Sequence, residues 1–224
     1  MPRPFTVLHF LDQCPLPGAA VWNMAADEAL LETAGVPLLR IYRWAAPAVS
    51  FGYFLNWRDA EVVAGGRELV RRWTGGGIVE HGADFTWSLM VPGSHALSRL
   101  RPVESYGCLH AALAKALLAA GIPSSLQGLE LAIPAGGLCM IAPAPGDVLS
   151  GGRKIAGAGQ RRCRHGLLHQ GSVCGVELPE HFPSLLAAAL SEEVRPFPWT
   201  PALEQRAAVL AAERYGTEEW LRKR

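Results

Sequence analysis

Lys154 stands in the run Gly151-Gly152-Arg153-Lys154-Ile155-Ala156-Gly157-Ala158-Gly159-Gln160. A second glycine-rich run, Arg71-Arg72-Trp73-Thr74-Gly75-Gly76-Gly77-Ile78-Val79-Glu80-His81, lies upstream of it. Glycine has no Cβ, so main-chain N–H groups in such runs can come within hydrogen-bonding distance of a ligand. An ammonium fixed beside them supplies the positive charge that a carboxylate, phosphate or oxyanion requires. Together the two runs point to chemistry on an acyl or phosphate group. Either alone would most often be only a turn.

The composition bounds the remaining possibilities. The chain has 224 residues, half of them hydrophobic and 18% charged, with a formal net charge of +1. That length suits one substantial core, and a single domain over residues 1–224 is expected. With no excess of either charge there is no long-range field to draw in polyanions, which disfavours nucleic-acid binding. Apolar stretches are broken by Gly, Pro or charge well before the ~20 residues of a membrane span. The start, Met1-Pro2-Arg3-Pro4-Phe5, has no apolar segment with a cleavage site, so a cytoplasmic protein is expected. Five cysteines, Cys14, Cys108, Cys139, Cys163 and Cys174, are widely spaced with no Cys-x-x-Cys pair. That argues for reduced thiols and against a disulfide framework or a metal site.

Elements that could position the two runs follow from periodicity. Asn23 to Glu32 places Met24, Leu30 and Leu31 on one face and Asp27, Glu28 and Glu32 largely on others, the period of an amphipathic helix with Asn23 as its N-cap. Leu38–Trp44 and Ala48–Phe54 read as two strands joined by the short turn Ala45-Ala46-Pro47. Glu68–Trp73, Ile78–His81 and Phe85–Val91 read as further strands, with the glycine triplet as a turn between the first two. Pro102 to Ala120 is a long Ala/Leu-rich helix with proline near its start and Gly121 at its end. Leu126–Ile133, Val148–Ser150, Arg153–Ala158 and Leu167–Cys174 resume the strand pattern. The stretch Pro134–Gly146 between them is the candidate active-site loop. Helix signals close the chain at Pro179–Leu190, Pro201–Tyr215 and Thr217–Arg222. The summary is an α+β domain, a mixed β-sheet flanked by helices.

These motifs, in this order, resemble the lipoate-protein ligase and octanoyltransferase superfamily over nearly the whole chain. Arg71-Arg72-x-Thr74-Gly75-Gly76-Gly77-x-Val79-x-His81 with Thr86-x-Ser88 is similar to its first signature. Gly152-Arg153-Lys154-Ile155-Ala156-Gly157-x-x-Gln160-x-Arg162 and Leu168-His169-Gln170-Gly171-Ser172 are similar to its second and third. Asn23-Met24-Ala25-x-Asp27-Glu28, Ser50-Phe51-Gly52-Tyr53-Phe54, Ser105-Tyr106 and Tyr215-x-Thr217-x-x-Trp220 agree as well. The resemblance implies the biotin/lipoate protein ligase catalytic-domain fold, related to class II aminoacyl-tRNA synthetases. The acyl chain would lie in a tunnel under the glycine-rich loop.

Two mechanisms are implied by the superfamily. In the branch resembling Bacillus-type octanoyltransferase the nucleophile lies in a Cys-x-x-x-Pro element ahead of the lysine, and Cys139-Met140-Ile141-Ala142-Pro143 stands at the matching distance before Lys154. Cys139 is then the nucleophile, octanoyl-acyl-carrier protein the donor, and the lysine of glycine cleavage H protein or of an E2 lipoyl domain the acceptor, with no cofactor and no metal. A chain that ends soon after the catalytic domain suits this branch. Thiolate attack on a thioester is nearly thermoneutral, and Lys154 would stabilise the thiolate and face the tetrahedral oxyanion without itself being acylated. Loop N–H groups from the Gly75–Gly77 turn or the Gly157–Gly159 run would serve as further oxyanion donors.

The alternatives are an ATP- and magnesium-dependent lipoate ligase working through an acyl-adenylate, and a non-catalytic lipoate-binding paralogue. On the resemblance, Arg72, Gly75, Gly76, Gly77, His81, Gly157 and Ala158 line the acyl site. Arg72 is chosen over Arg71 because strand alternation puts only one of them on the site face. His81 is otherwise read as a hydrogen-bonded structural histidine, and Trp44, Trp73 and Trp87 as packing residues. The expected molecule is a monomer.

Overall fold

The computed structural model describes residues 2–128 and 144–223. The chain begins with β1 (Phe5–Asp12), α1 (Ala20–Thr33), β2 (Leu38–Tyr42), β3 (Ala48–Phe51), α2 (Trp57–Ala64), β4 (Glu68–Arg71), β5 (Ile78–His81) and β6 (Phe85–Pro92). It continues through α3 (Ala96–Arg99), α4 (Pro102–Ala119), β7 (Ser125–Leu126), β8 (Val148–Ser150), β9 (Arg153–Cys163) and β10 (Gly166–Val173). The last elements are α5 (Phe182–Leu190), β11 (Ser191–Pro196), α6 (Pro201–Leu210) with a π-helical extension Ala211–Tyr215, and α7 (Glu218–Leu221).

An eight-stranded mixed sheet runs in the order β11-β1-β2-β6-β10-β9-β8-β7. Both neighbours of β1 are parallel to it, and the other pairs are antiparallel. Helices cover both faces. On one, Leu109, Leu113 and Leu117 of α4 and Phe182, Leu186 and Leu190 of α5 pack against Leu39, Trp87 and Leu89. On the other, Met24, Leu30 and Leu31 of α1 and Leu203 and Leu210 of α6 pack against Leu38, Tyr42 and Met90. With helices on both sides, β10 is buried along its whole length and shows no polar alternation. No helix among the described residues is long and apolar enough to cross a membrane.

The mixed sheet flanked by helices matches the expected fold class, and several local readings are corrected. Helix α1 is not amphipathic: every residue from Asn23 to Leu31 is buried. Asp27 is taken inside by Arg40 at 2.6 Å, and Glu28 by Arg214 and by Tyr215 Oη at 2.7 Å. Buried acids tolerated in this way need paired cations and donors, and periodicity alone does not report those partners. The N-cap is Ala19, and Asn23 lies a turn inside, donating to the carbonyls of Gly18 and Arg43.

Strands β2 and β3 do not form a hairpin. They belong to different sheets, because β3 is the centre of a separate three-stranded sheet in the order β4-β3-β5. The glycine triplet accordingly joins two strands that never pair, β4 running parallel to β3 and β5 antiparallel. Strand β9 continues to Cys163, past the expected Ala158, because β10 pairs with it as far as Gly166. Four elements had no reading in the sequence, the single-turn helix α3 among them. In β1 the fully inward residues Phe5, Leu8 and Leu11 are three apart and do not alternate. Strand β11 is an exposed polar edge. Helix α2 is eight residues long, capped by the Asn56 side chain and closed by Gly65 at φ 56°.

Candidate active site

The small sheet packs across the large one, and a cleft of about 420 Å³ opens between them. Its walls come from Tyr42 and Trp44 at one end, Ser50, Arg72 and His81 of the small sheet, and Gly157–Gly159 of β9 opposite them. Most of the predicted acyl-site residues therefore meet here: Arg72, His81, Gly157 and Ala158 line the cleft directly. Cys139 and Pro143 lie outside the described residues, as does most of the expected loop.

Gly75–Gly77 do not line the cleft themselves but pack against two residues that do, Arg72 and Gly159, and main chain sets how closely the loop approaches. A Cβ on Gly52 would stand 2.1 Å from the Gly76 carbonyl oxygen, and one on Gly159 would stand 2.3 Å from that of Gly75. Neither position accepts a side chain without moving the loop. Gly76 has φ 98°, which glycine adopts without strain. The N–H of Gly75 donates to the Gln160 carbonyl at 3.3 Å, so this expected oxyanion donor is committed to holding the loop against β9. Ala158 N–H is likewise engaged, by Tyr106 Oη at 2.9 Å.

Arg71 and Arg72 point to opposite sides, as strand alternation requires. Arg72 donates to Ser50 Oγ at 2.6 Å and to the Gly77 carbonyl at 2.8 Å. Arg71 donates to the carbonyls of Tyr53, Leu55 and Leu221 and so ties the C-terminal segment to the small sheet. Both arginines are buried, so a solvated pair is excluded.

Lys154 Nζ lies 2.7 Å from Asp147 Oδ2, with both side chains buried. Asp147 also accepts from Tyr106 Oη at 2.6 Å and from Ala144 N–H at 2.6 Å. The lysine crosses the open face of Gly157, which itself lines the cleft. A buried cation held in this way by a fully hydrogen-bonded carboxylate is preorganised to face developing negative charge.

His81 is sandwiched between chemistry and packing. Its ring stacks on Trp44 at 4.0 Å, its Nε2 is 2.6 Å from Ser50 Oγ, and its Nδ1 is 2.7 Å from Asp84 Oδ2. Burial pushes the imidazole pKa down despite Asp84, and the Arg72 charge adds to that shift. Burial works to raise the Asp84 pKa, but hydrogen bonds from His81, Gly82 and Thr86 hold it below the usual carboxylate range.

The third signature divides by strand alternation. Gln170 faces the cleft, accepting from Thr74 Oγ1 and donating to Asp27 Oδ2, each at 2.7 Å. His169 faces the other way, onto Trp87 and His110. Asp27, Ser50, Asp84, Tyr106, Asp147 and Gln170 were not assigned site roles from sequence. All six sit in or beside quoted motifs, but nothing in the pattern shows which neighbours they would meet.

A wider groove of about 1670 Å³ lies behind Tyr42 and Trp44, with Asp12, Glu177 and Glu180 on its walls, and it contains none of the predicted residues. Among the described residues, no three His, Cys, Asp or Glu side chains cluster to hold a metal ion.

A mixed sheet flanked by helices thus carries a glycine-lined cleft, and a buried lysine lies against Gly157, one of its lining glycines. Residues 19–196 match the Lipoyl protein ligase A/B catalytic domain, and the chain belongs to that family. Among its relatives, Octanoyltransferase LipM of Macrococcus caseolyticus is 29% identical, over 91% of this chain and 94% of that protein. Octanoyltransferase LipM of Carboxydothermus hydrogenoformans is 34% identical, over 74% of this chain but only 64% of that protein. Among solved structures, Ta0514 of Thermoplasma acidophilum with bound lipoic acid superposes with a TM-score of 0.78 at 21% identity, covering 98% and 99% of the two chains. Lipoate-protein ligase A bound with ATP gives 0.77 at 22% identity, covering 97% and 98%. At these identities the structural likeness establishes the fold.

Proposed function

We propose that the chain is an octanoyltransferase of lipoate biosynthesis, moving an octanoyl group from acyl-carrier protein through Cys139 to the lysine of a lipoyl-domain protein. The observation that carries this reading is the buried Lys154–Asp147 pair held against Gly157, a residue lining the cleft, in a chain whose relatives include proteins named octanoyltransferase. In the first step the Cys139 thiolate attacks the donor thioester, and the carrier thiolate departs and takes up a proton. In the second step the acceptor ε-amine attacks the enzyme thioester, loses its proton and expels Cys139. Lys154 stays unacylated and balances the oxyanion in both steps. No external energy source is needed, because each acyl bond is already activated. A lipoyl-domain acceptor is supported by the bipartite lipoate protein ligase of Thermoplasma acidophilum, described with its E2 lipoyl domain, which superposes with a TM-score of 0.68. The enzyme is placed in the cytoplasm, where both proteins would be met.

The test is the intact mass after incubation with octanoyl-acyl-carrier protein in the absence of ATP. An octanoyl adduct on wild type that is absent from Cys139→Ala is the expected result. An unmodified wild type that catalyses lipoate-driven ATP–pyrophosphate exchange would replace the proposal with the ligase mechanism.

A further inference from the structure

The hydrogens of one buried chain can be assigned in a single direction. Asp84 is an ionised acceptor, so the neutral His81 donates from Nδ1, and its Nε2 carries the lone pair. Ser50 must then donate its hydroxyl proton to Nε2, because its oxygen already accepts from Arg72 Nη1. Arg72 uses its other terminal nitrogen on the Gly77 carbonyl. The result is a one-way sequence from Arg72 through Ser50 and His81 to Asp84. Arg72, Ser50 and His81 line the cleft, and Arg72 also reaches the Gly75–Gly77 loop. Thr86 and Trp44 secure the acid end: Thr86 Oγ1 donates to Asp84 Oδ2 at 2.9 Å, and Trp44 Nε1 donates to Thr86 Oγ1 at 2.8 Å.

We infer that Ser50, His81 and Asp84 are positioning residues for acyl transfer, acting through Arg72: their hydrogen-bond chain fixes the guanidinium that lines the cleft and holds the Gly75–Gly77 loop beside it. The inference rests on the proposed transferase reading and adds to it a device that sets the geometry of the Arg72 wall. A proton placed on His81 reverses the Ser50–His81 bond, leaves the hydroxyl hydrogen without its acceptor and sets a second cation beside Arg72. The Ser50 oxygen then accepts from both cations, and repulsion between imidazolium and guanidinium loosens the Arg72 contact that helps hold the loop. Charged groups facing His81 are Asp84 from the β5–β6 turn and Arg72 from the segment after β4. Tyr42 stands behind Trp44 on β2, and Cys174 after β10 senses the Asp84 charge. The device is thus engaged at neutral pH and released on the acid side of the ordinary histidine range.

The experiment measures octanoyl transfer by the full chain from pH 5 to 8, together with ring-nitrogen NMR of His81. Wild type should show the Nδ1–H tautomer and an acid limb below pH ~6.5, with a rise in KM for the acyl donor. Ser50→Ala should lower kcat/KM about tenfold, the equivalent of one lost charge-assisted hydrogen bond, and Ser50→Thr should restore most of it. Asp84→Asn removes the charge that favours protonated His81, so its acid limb should move to lower pH. The Nε2–H tautomer in wild type, or an acid limb that Asp84→Asn leaves in place, overturns the inference. The NMR reading needs no variant and does not depend on turnover. A failure of Cys139 to acylate therefore counts against the transferase reading, while a wrong tautomer counts against the positioning chain.

Discussion

The side chain of Lys154 occupies the space that a Cβ on Gly157 would need. An added Cβ would stand 2.8 Å from Lys154 Cε and 2.9 Å from Nζ. Gly157 does not adopt a positive φ, so alanine fits its backbone, but Lys154 and Asp147, whose Oδ1 would stand 3.2 Å from the new Cβ, must give way. Gly157→Ala should therefore lower the melting temperature by disturbing the buried Lys154–Asp147 pair and lower octanoyl transfer by about 10- to 100-fold, the scale of a misplaced catalytic charge. Paired melting and steady-state measurements check this, and a variant with wild-type activity would remove Lys154 placement as the reason for the glycine.

Asp147 and Tyr106 hold that lysine in different ways, and their variants should separate. Asp147→Asn leaves the buried ammonium facing an amide and should destabilise the fold by roughly 3–5 kcal/mol in chemical denaturation. Tyr106→Phe loses the bonds to Asp147 and to Ala158 N–H, and should cost about 1–3 kcal/mol with a smaller loss of transfer.

The Asp27–Arg40 pair lies under the cleft, with Ser88 and Gln170 also donating to Asp27. Removing either partner alone, by Asp27→Leu or Arg40→Met, should destabilise by about 3–5 kcal/mol, and the double variant by less than the sum. Denaturant midpoints of the four proteins give the coupling directly.

Acid should weaken the fold through the histidines behind the cleft. Burial lowers the His110 pKa to about 4, and His169 is pushed well below its ordinary value by burial and by its neighbours His110 and Arg162. Both are neutral when folded. As pH falls below ~6.5 the unfolded chain binds protons that the folded chain refuses, so stability declines until His110 itself titrates near pH 4. The His110 contribution amounts to about 3 kcal/mol at most. Asp84, whose folded pKa is depressed, adds its own loss only at lower pH, below the ordinary carboxylate range. Melting temperatures of wild type and His110→Asn from pH 7.5 to 4.5 test this, with a shallower slope expected for the variant.

Much of the cleft could be read from residue types. Arg72 was separated from Arg71 by the alternation of a strand, and of the two glycine runs read as backbone approaching a ligand, Gly157–Gly159 lines the cleft while Gly75–Gly77 packs against it. The readings that failed share a cause. Asp27 and Glu28 look like the wet side of a helix until Arg40 and Arg214, distant in sequence, enclose them. The hairpin expected from β2 and β3 fails because β3 finds partners in β4 and β5, and local spacing carries no record of that choice. Ser50 was only one letter of a motif, and its position between Arg72 and His81 exists only after three strands have met.

The contact of Gly75–Gly77 with Gly52 and Gly159 has an evolutionary consequence. Its spacing is written in peptide groups, which no codon change alters, and side chains are barred from the two closest contacts. Variation at this junction of the two sheets is therefore closed to Gly52 and Gly159, and any change in the shape of the neighbouring cleft must come from the side chains on its walls.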